Sequence, residues 1–238
     1  MTRQRRRHII HTRRRATGLA LAGAISFLAG MTDATGLVLS GDFVSFMTGN
    51  TTRTALSLGD GNFQHAAVLI AAITVFVLGN AAGIVIAHFA DRRIFVVLGC
   101  VGLTLALASV MTNAGLVLPR FYLIVASMGM VNAAVEHIEG LPIGLTYVTG
   151  ALSRFGRGIG RWMLGDRHFE WTIQIVPWLG MLAGAITGAL LVQIAGAATL
   201  WLIAAFAIMI AFAALLIPKP LHRRFNQNAT PRPVARAR

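Results

Sequence analysis

The chain has 238 residues, of which 56% are hydrophobic and only 12% charged, with a mean hydropathy of +0.70. Soluble domains carry about 25% charge, so these values exclude an ordinary soluble protein and mark an integral membrane protein. The formal charge of +13 does not point to nucleic acid, because thirteen of the 21 Lys and Arg lie in two tails outside the apolar sequence.

The first tail, residues 1–15, holds Arg3, Arg5, Arg6, Arg7, Arg13, Arg14 and Arg15. It is expected to stay in the cytoplasm, to touch anionic lipid headgroups and to lack fixed structure. Paired arginines before an apolar run also suit a cleaved export signal. Here the run continues from 16 to 39, longer than a signal core, and reads as the first span.

Asp33 is the only carboxylate well inside that span. A charge at such depth costs at least ~2.5–3.5 kcal/mol on insertion scales, so its retention points to a proton or cation site. The alternative is a hydrogen bond across a helix contact.

Residues 41–59 follow, too short and polar to cross alone and too apolar for an ordinary loop. Within them Thr48, Gly49 and Asn50 offer a hydroxyl, accessible backbone and an amide, as suits a break in a helix at membrane depth. Arg53, one turn after Gly49, and Arg154, one turn after Gly150, read first as interfacial snorkelling residues, with attraction of an anion or neutralisation of Asp33 or Asp42 as the alternatives. Spans are then expected at 64–89, 94–112 and 120–138, with lone Cys100 in the second of these excluding an intrachain disulfide.

Gly30-Met31-Thr32-Asp33-Ala34 returns as Gly129-Met130-Val131-Asn132-Ala133. Thr48-Gly49 with Arg53 returns as Thr149-Gly150 with Arg154, and Leu78-Gly79 with Gly83 returns as Leu179-Gly180 with Gly184. The chain is therefore read as two membrane repeats, 16–112 and 113–217, each ordered span, short segment, span, span. Gly79, Gly83, Gly180 and Gly184 put small residues four apart, which suits close helix packing.

Glu136-His137, near the end of the fourth span, is a candidate relay or an interfacial pair. The last spans are expected at 171–195 and 197–217, with Pro177 kinking the former. The second tail, 218–238, carries Lys219 and five arginines, and like the first is expected to lack fixed structure.

An odd number of spans per repeat turns the second copy over in the bilayer. With both tails inside, Arg92, Arg93, Arg154, Arg157, Arg161 and Arg167 also fall inside, and only Arg53 and Arg120 outside, which is the positive-inside bias. The expected fold is an all-α integral membrane protein of about six transmembrane helices plus two short broken or re-entrant segments, arranged as an inverted internal repeat. Eight full crossings with parallel repeats would spoil the charge asymmetry.

Asp33-Ala34 followed by Phe43-Val44-Ser45-Phe46-Met47-Thr48-Gly49-Asn50 resembles the YoaK-like family of bacterial inner-membrane proteins, a family of unknown function. The likeness spans roughly residues 17–217. In the second half Gly129, Asn132, Ala133, Thr146, Thr149 and Gly150 fit the family pattern, while Val131 stands where glutamine is usual. The resemblance implies a multi-pass inner-membrane protein and supplies no substrate.

Inverted repeats with broken helices are the construction of many secondary transporters. The expectation is a transporter of a small molecule or ion, coupled to protons through Asp33, with Thr48, Gly49, Asn50, Asn132, Thr149 and Gly150 lining a shared central site. The rival readings are a membrane-embedded enzyme acting on a lipid or isoprenoid, and a membrane assembly protein whose small-residue faces dock other helices, a homo-oligomer included. No zinc, nucleophile-elbow, Walker or dinucleotide motif occurs, so no cofactor, metal or catalytic set is expected.

Overall fold

The computed structural model describes residues 3–134, 137–138, 141–142 and 148–216. The chain is helical because an apolar run of membrane length satisfies its backbone groups within one segment only as a helix, interior glycines notwithstanding. Eight helices result: α1 (Arg3–Ser40), α2 (Met47–Gly59), α3 (Phe63–Phe89), α4 (Arg93–Val110), α5 (Val117–Ala134), α6 (Val148–Met163), α7 (Ile175–Ala195) and α8 (Thr199–Leu215). A two-residue antiparallel pairing of His137–Ile138 with Leu141–Pro142 lies between α5 and α6.

Five apolar segments are long enough to cross a membrane; the last, Trp171–Leu215, is divided into α7 and α8 at Gly196, whose φ is +54°. Among the described residues, six apolar helices of 17 residues or more therefore stand beside the short α2 and the 16-residue, arginine-bearing α6. At 13 residues, α2 reaches ~20 Å at 1.5 Å per residue, short of a ~30 Å hydrocarbon core.

Three sequence expectations change. The first tail is not irregular: α1 begins at Arg3, so the arginine run continues the membrane helix. The fourth span ends at Ala134 rather than 138, and Glu136 lies outside the described residues. Pro177 lies in the first turn of its helix rather than six residues in, because α7 starts at Ile175. Proline in the first turn removes an N–H that has no intrahelical acceptor.

The long helices pack as three pairs. α1 lies along α7, α3 along α5, and α4 along α8; α8 also leans on α1, and α4 on α5. Glycines set the first two seams. A methyl group on Gly180, Gly184 or Gly188 would run into the carbonyl oxygen of Gly23, Phe27 or Met31 respectively, and one on Gly30 would overlap Met181 O. On the other seam Gly79 meets Ala126 O, Gly83 meets Met130, and Gly129 meets Phe76 O. Bare backbone surfaces at close approach gain dispersion contacts that lipid tails do not supply.

The residue numbers rise together along each of these seams, so both pairs are parallel. The third is antiparallel: Phe95 packs edge-on against Phe212 at 5.4 Å, Gly102 against Ala204 and Ile208, and Arg92 reaches Leu215 O at 3.1 Å.

These contacts are reciprocal. Replacing α1 by α5, α3 by α7 and α4 by α8 reproduces every pair. The glycines match as Gly30 with Gly129, Gly79 with Gly184 and Gly83 with Gly188. That register is one helical turn beyond the sequence match of Gly79 to Gly180. A ladder of small residues spaced by four aligns with itself after a one-turn slip, and only the packing removes the ambiguity.

The seams also place the short helices. α2 sits at the end of the bundle where α1 finishes and α3 and α5 begin, while α6 sits at the opposite end, where α5 finishes and α7 begins.

Candidate functional site

α1 stops at Ser40, and Gly41 turns the chain at φ +80°, a conformation that favours glycine. Asp42 to Phe46 then run without helix to the start of α2. Asp33 anchors this stretch: its Oδ1 accepts the Ser45 backbone N–H at 3.0 Å. A main-chain donor freed by the break thus finds an acceptor inside the bundle, where an unpaired donor is costly.

Val44 is fully buried and rests on Gly36, where a methyl group would lie 2.6 Å from its Cγ1. Asn50, also fully buried, donates from Nδ2 to Phe43 O at 2.7 Å, and its own carbonyl accepts from Thr54 Oγ1 at 2.8 Å. Its side-chain Oδ1 is buried with no partner among the described residues. Phe43 and Phe46 meet edge-on at 5.3 Å and cover Gly49. A cavity of about 550 Å³ opens beside them, lined by Leu37, Phe43, Phe46, Thr48, Gly49 and Arg53, among others.

A chain of polar side chains closes the same end. Arg53 Nη1 lies 2.8 Å from Asp42 Oδ1 and also donates to Gly41 O. His65 Nε2 stands 3.1 Å from Asp42 Oδ2, and His65 Nδ1 lies 2.9 Å from Ser57 Oγ. A carboxylate only accepts, so His65 carries hydrogen on Nε2. Asn62 caps α3 by accepting the His65 N–H at 3.1 Å. The guanidinium of Arg53 also sits 5.6 Å from the Phe43 ring centre. Arg53 is therefore an ion-paired strut, where the sequence suggested a snorkelling residue.

The second half is built differently. Thr149 is exposed and Gly150 half-buried in the first turn of α6. Arg154 Nε donates to Gln174 Oε1 at 2.9 Å. The Trp171 ring presses on Gly158, where a side chain would overlap it, and meets Phe155 at 5.2 Å. A second cavity of about 400 Å³ is lined by Arg154, Arg157, Arg161, His168, Trp171 and Gln174, with Asp166 and Gly158 in its wall.

The structure thus brings Asp33, Thr48, Gly49 and Asn50 together around one break. Thr149 and Gly150 lie at the other end of the bundle with α6. Asn132 sits in α5, its Nδ2 3.4 Å from Met128 O one turn back, and Val131 beside it is fully buried. Gly79, Gly83, Gly180 and Gly184 lie in the helix seams. Among the described residues no group of three His, Cys, Asp or Glu side chains could hold a metal ion.

The pairing of Arg53 with Asp42 was one of the sequence alternatives; sequence reasoning did not find the roles of Ser57, His65, Trp171 or Gln174. The available signal was the clustering of Asp42 and His65 at the two edges of the short segment, where the chain reverses.

The family model described as "Protein of unknown function (DUF1275)" matches residues 21–213. The chain is similar to the UPF0700 transmembrane protein RA0705 of Rhizobium meliloti (strain 1021), at 52% identity over 229 residues, covering 96% of this chain and 100% of that protein. No solved structure matches it.

Proposed function

The chain belongs to the DUF1275 family of membrane proteins, and from that footing we propose that it is a transporter of a small molecule or ion. In this reading it works in the inner membrane with both tails cytoplasmic, and its halves are an inverted repeat. The reciprocal seams favour this, because equivalent helices α4 and α8 run antiparallel. Parallel repeats would make them parallel. Arginine placement favours the orientation: Arg92, Arg93, Arg154, Arg157, Arg161 and Arg167 collect at the end where α1 begins, and Arg53 and Arg120 at the other.

The observation that carries the reading is the bond between Asp33 Oδ1 and Ser45 N–H. An intramembrane carboxylate holding irregular backbone beside an open cavity is what a coupling site needs. Protonation neutralises the acceptor and weakens its hold on the 41–46 stretch; deprotonation restores the charge-assisted bond. One proton would then bias two arrangements of the break, and a substrate that prefers one arrangement is moved by the proton gradient. Thr48 and Arg53 supply polar contacts at the cavity, and Asn50, with its unpaired Oδ1, lies buried beneath the segment that lines it.

The test is proton flux into dye-loaded proteoliposomes under an imposed pH gradient, across a panel of small solutes. Wild type is expected to show solute-dependent flux and Asp33→Asn to lose it. Equal flux in both removes Asp33 from the mechanism. Membrane-impermeant thiol labelling of Arg53→Cys and Arg154→Cys, in a Cys100→Ser background, tests the topology separately. Opposite faces are expected, and labelling from one face overturns the inverted repeat.

A further inference from the structure

The cavity at α6 has a composition that the transport reading does not use. Arg154, Arg157 and Arg161 are spaced three and four apart, so at 100° per residue they share one narrow strip of the helix and line the same cavity. Gln174 is buried and takes the Nε hydrogen of Arg154 at 2.9 Å, which fixes that guanidinium and leaves its two terminal amino groups to face elsewhere. Trp171 adds an indole N–H that is buried and has no partner among the described residues. His168 completes the wall.

One carboxylate, Asp166, stands in the wall, and its Oδ1 accepts the His168 backbone N–H at 3.0 Å. Among the described residues no carboxylate oxygen lies within 4 Å of Arg157 or Arg161. The contrast with Arg53 is direct, since that arginine is held by Asp42 at 2.8 Å.

The reverse face of α6 is apolar and partly exposed: Leu152 and Ile159 keep 38% of their surface and Met163 75%. A helix with arginines on one strip and large apolar groups on the other lies in the plane of the membrane interface. Its cavity therefore opens at headgroup depth.

We infer that this cavity is a binding site for a phosphate-bearing anion, with Arg157, Arg161 and the free face of Arg154 as ligands and the Trp171 N–H as an added donor. Planar guanidinium forks and a lone N–H converging from several directions suit a tetrahedral, many-acceptor group better than a single carboxylate. The phosphate is that of an anionic lipid headgroup or of a free phosphate compound.

The full-length protein, delipidated, would be placed in nanodiscs of phosphatidylcholine with and without phosphatidylglycerol, and retained lipid measured by native mass spectrometry. In parallel, inorganic phosphate and glycerol 3-phosphate would be titrated into the detergent-solubilised protein and read by tryptophan fluorescence. Saturable retention of phosphatidylglycerol alone assigns the site to a headgroup, and saturable response to the soluble phosphates assigns it to a free anion. Either supports the site.

Joint Arg157→Gln and Arg161→Gln substitution is expected to weaken binding by roughly tenfold or more, from the loss of charge-assisted bonds. Trp171→Phe keeps the ring on Gly158 and is expected to weaken it by a smaller factor. Arg93→Gln, exposed at the same end but outside the cavity, is expected to leave binding unchanged. Absence of saturable binding by every probe overturns the inference. So does an equal loss in Arg93→Gln, which would mean that charge at this end acts without a defined pocket.

Discussion

The two short helices occupy equivalent places in their halves, yet they are held by opposite chemistry. Around α2 the stretch before the helix is fastened by carboxylates: Asp33 takes Ser45 N–H, and Asp42 takes Arg53 and His65. Around α6 the fastening among the described residues is a Trp171 ring on Gly158 and one neutral amide, Gln174, on Arg154. The comparison teaches that the two sets of long helices approach each other alike, while the short helices present different groups. Backbone-to-backbone seams tolerate almost no change, whereas a short helix at the rim of a bundle can exchange its polar partners at modest cost.

The largest expected effect tests the preserved part. Gly184→Val and its mate Gly79→Val each drive a side chain into backbone, at Phe27 and Ala126, and both should lose ~3 kcal/mol or more. Thermal unfolding in detergent would show this, and a clear difference between the two would break the claimed reciprocity. Gly156→Ala, with nothing near the added methyl, should be neutral or stabilising by up to ~1 kcal/mol.

Next is the fastening of the first break. Asp33→Ala leaves the Ser45 N–H without its acceptor and should cost ~1–3 kcal/mol, together with faster proteolysis between Gly41 and Phe46. Asp33→Asn retains an acceptor oxygen and should recover most of that protection. If both variants are cut alike, the bond is not what holds the stretch.

A smaller loss is expected from Asp42→Asn. It weakens the ties to Arg53 and His65, but the Arg53 side chain is 40% exposed, so screening by water limits the cost to ~1 kcal/mol or less. Asn62→Ala removes the α3 cap and should also cost about 1 kcal/mol. Comparable losses from changing Gln174 would sharpen the view that both ends are fastened with similar strength by different groups.

The long helices were legible in the sequence because an unbroken apolar run of membrane length has one stable solution in lipid, a helix. Gly30-Met31 and Thr48-Gly49 returning as Gly129-Met130 and Thr149-Gly150 suggested two halves, a reading that the reciprocal seams favour. The glycine register was not legible, since spacing by four matches itself after one turn. Asp33 stood out as the only carboxylate well inside the first span, but its partner is a backbone N–H twelve residues on, and no side-chain pattern announces that. Arg53 looked like a snorkelling residue because Asp42 comes within reach only after the turn at Gly41. The Arg154, Arg157 and Arg161 cluster read as a topology signal; its cavity depends on Trp171 and Gln174, which arrive from the connection into α7.

The exchange of partners between halves bears on how the chain is assembled. α1 is matched chiefly to α7, and α3 to α5, so the earliest helices leave the ribosome long before their bare glycine ridges can be covered. Until the late helices enter the lipid, those ridges stay bare or are shielded by the insertion machinery. A chain stopped after α4 would hold its segments in the bilayer as unmated rods, and a premature stop or a slowed ribosome in the second half would ruin the first half as thoroughly.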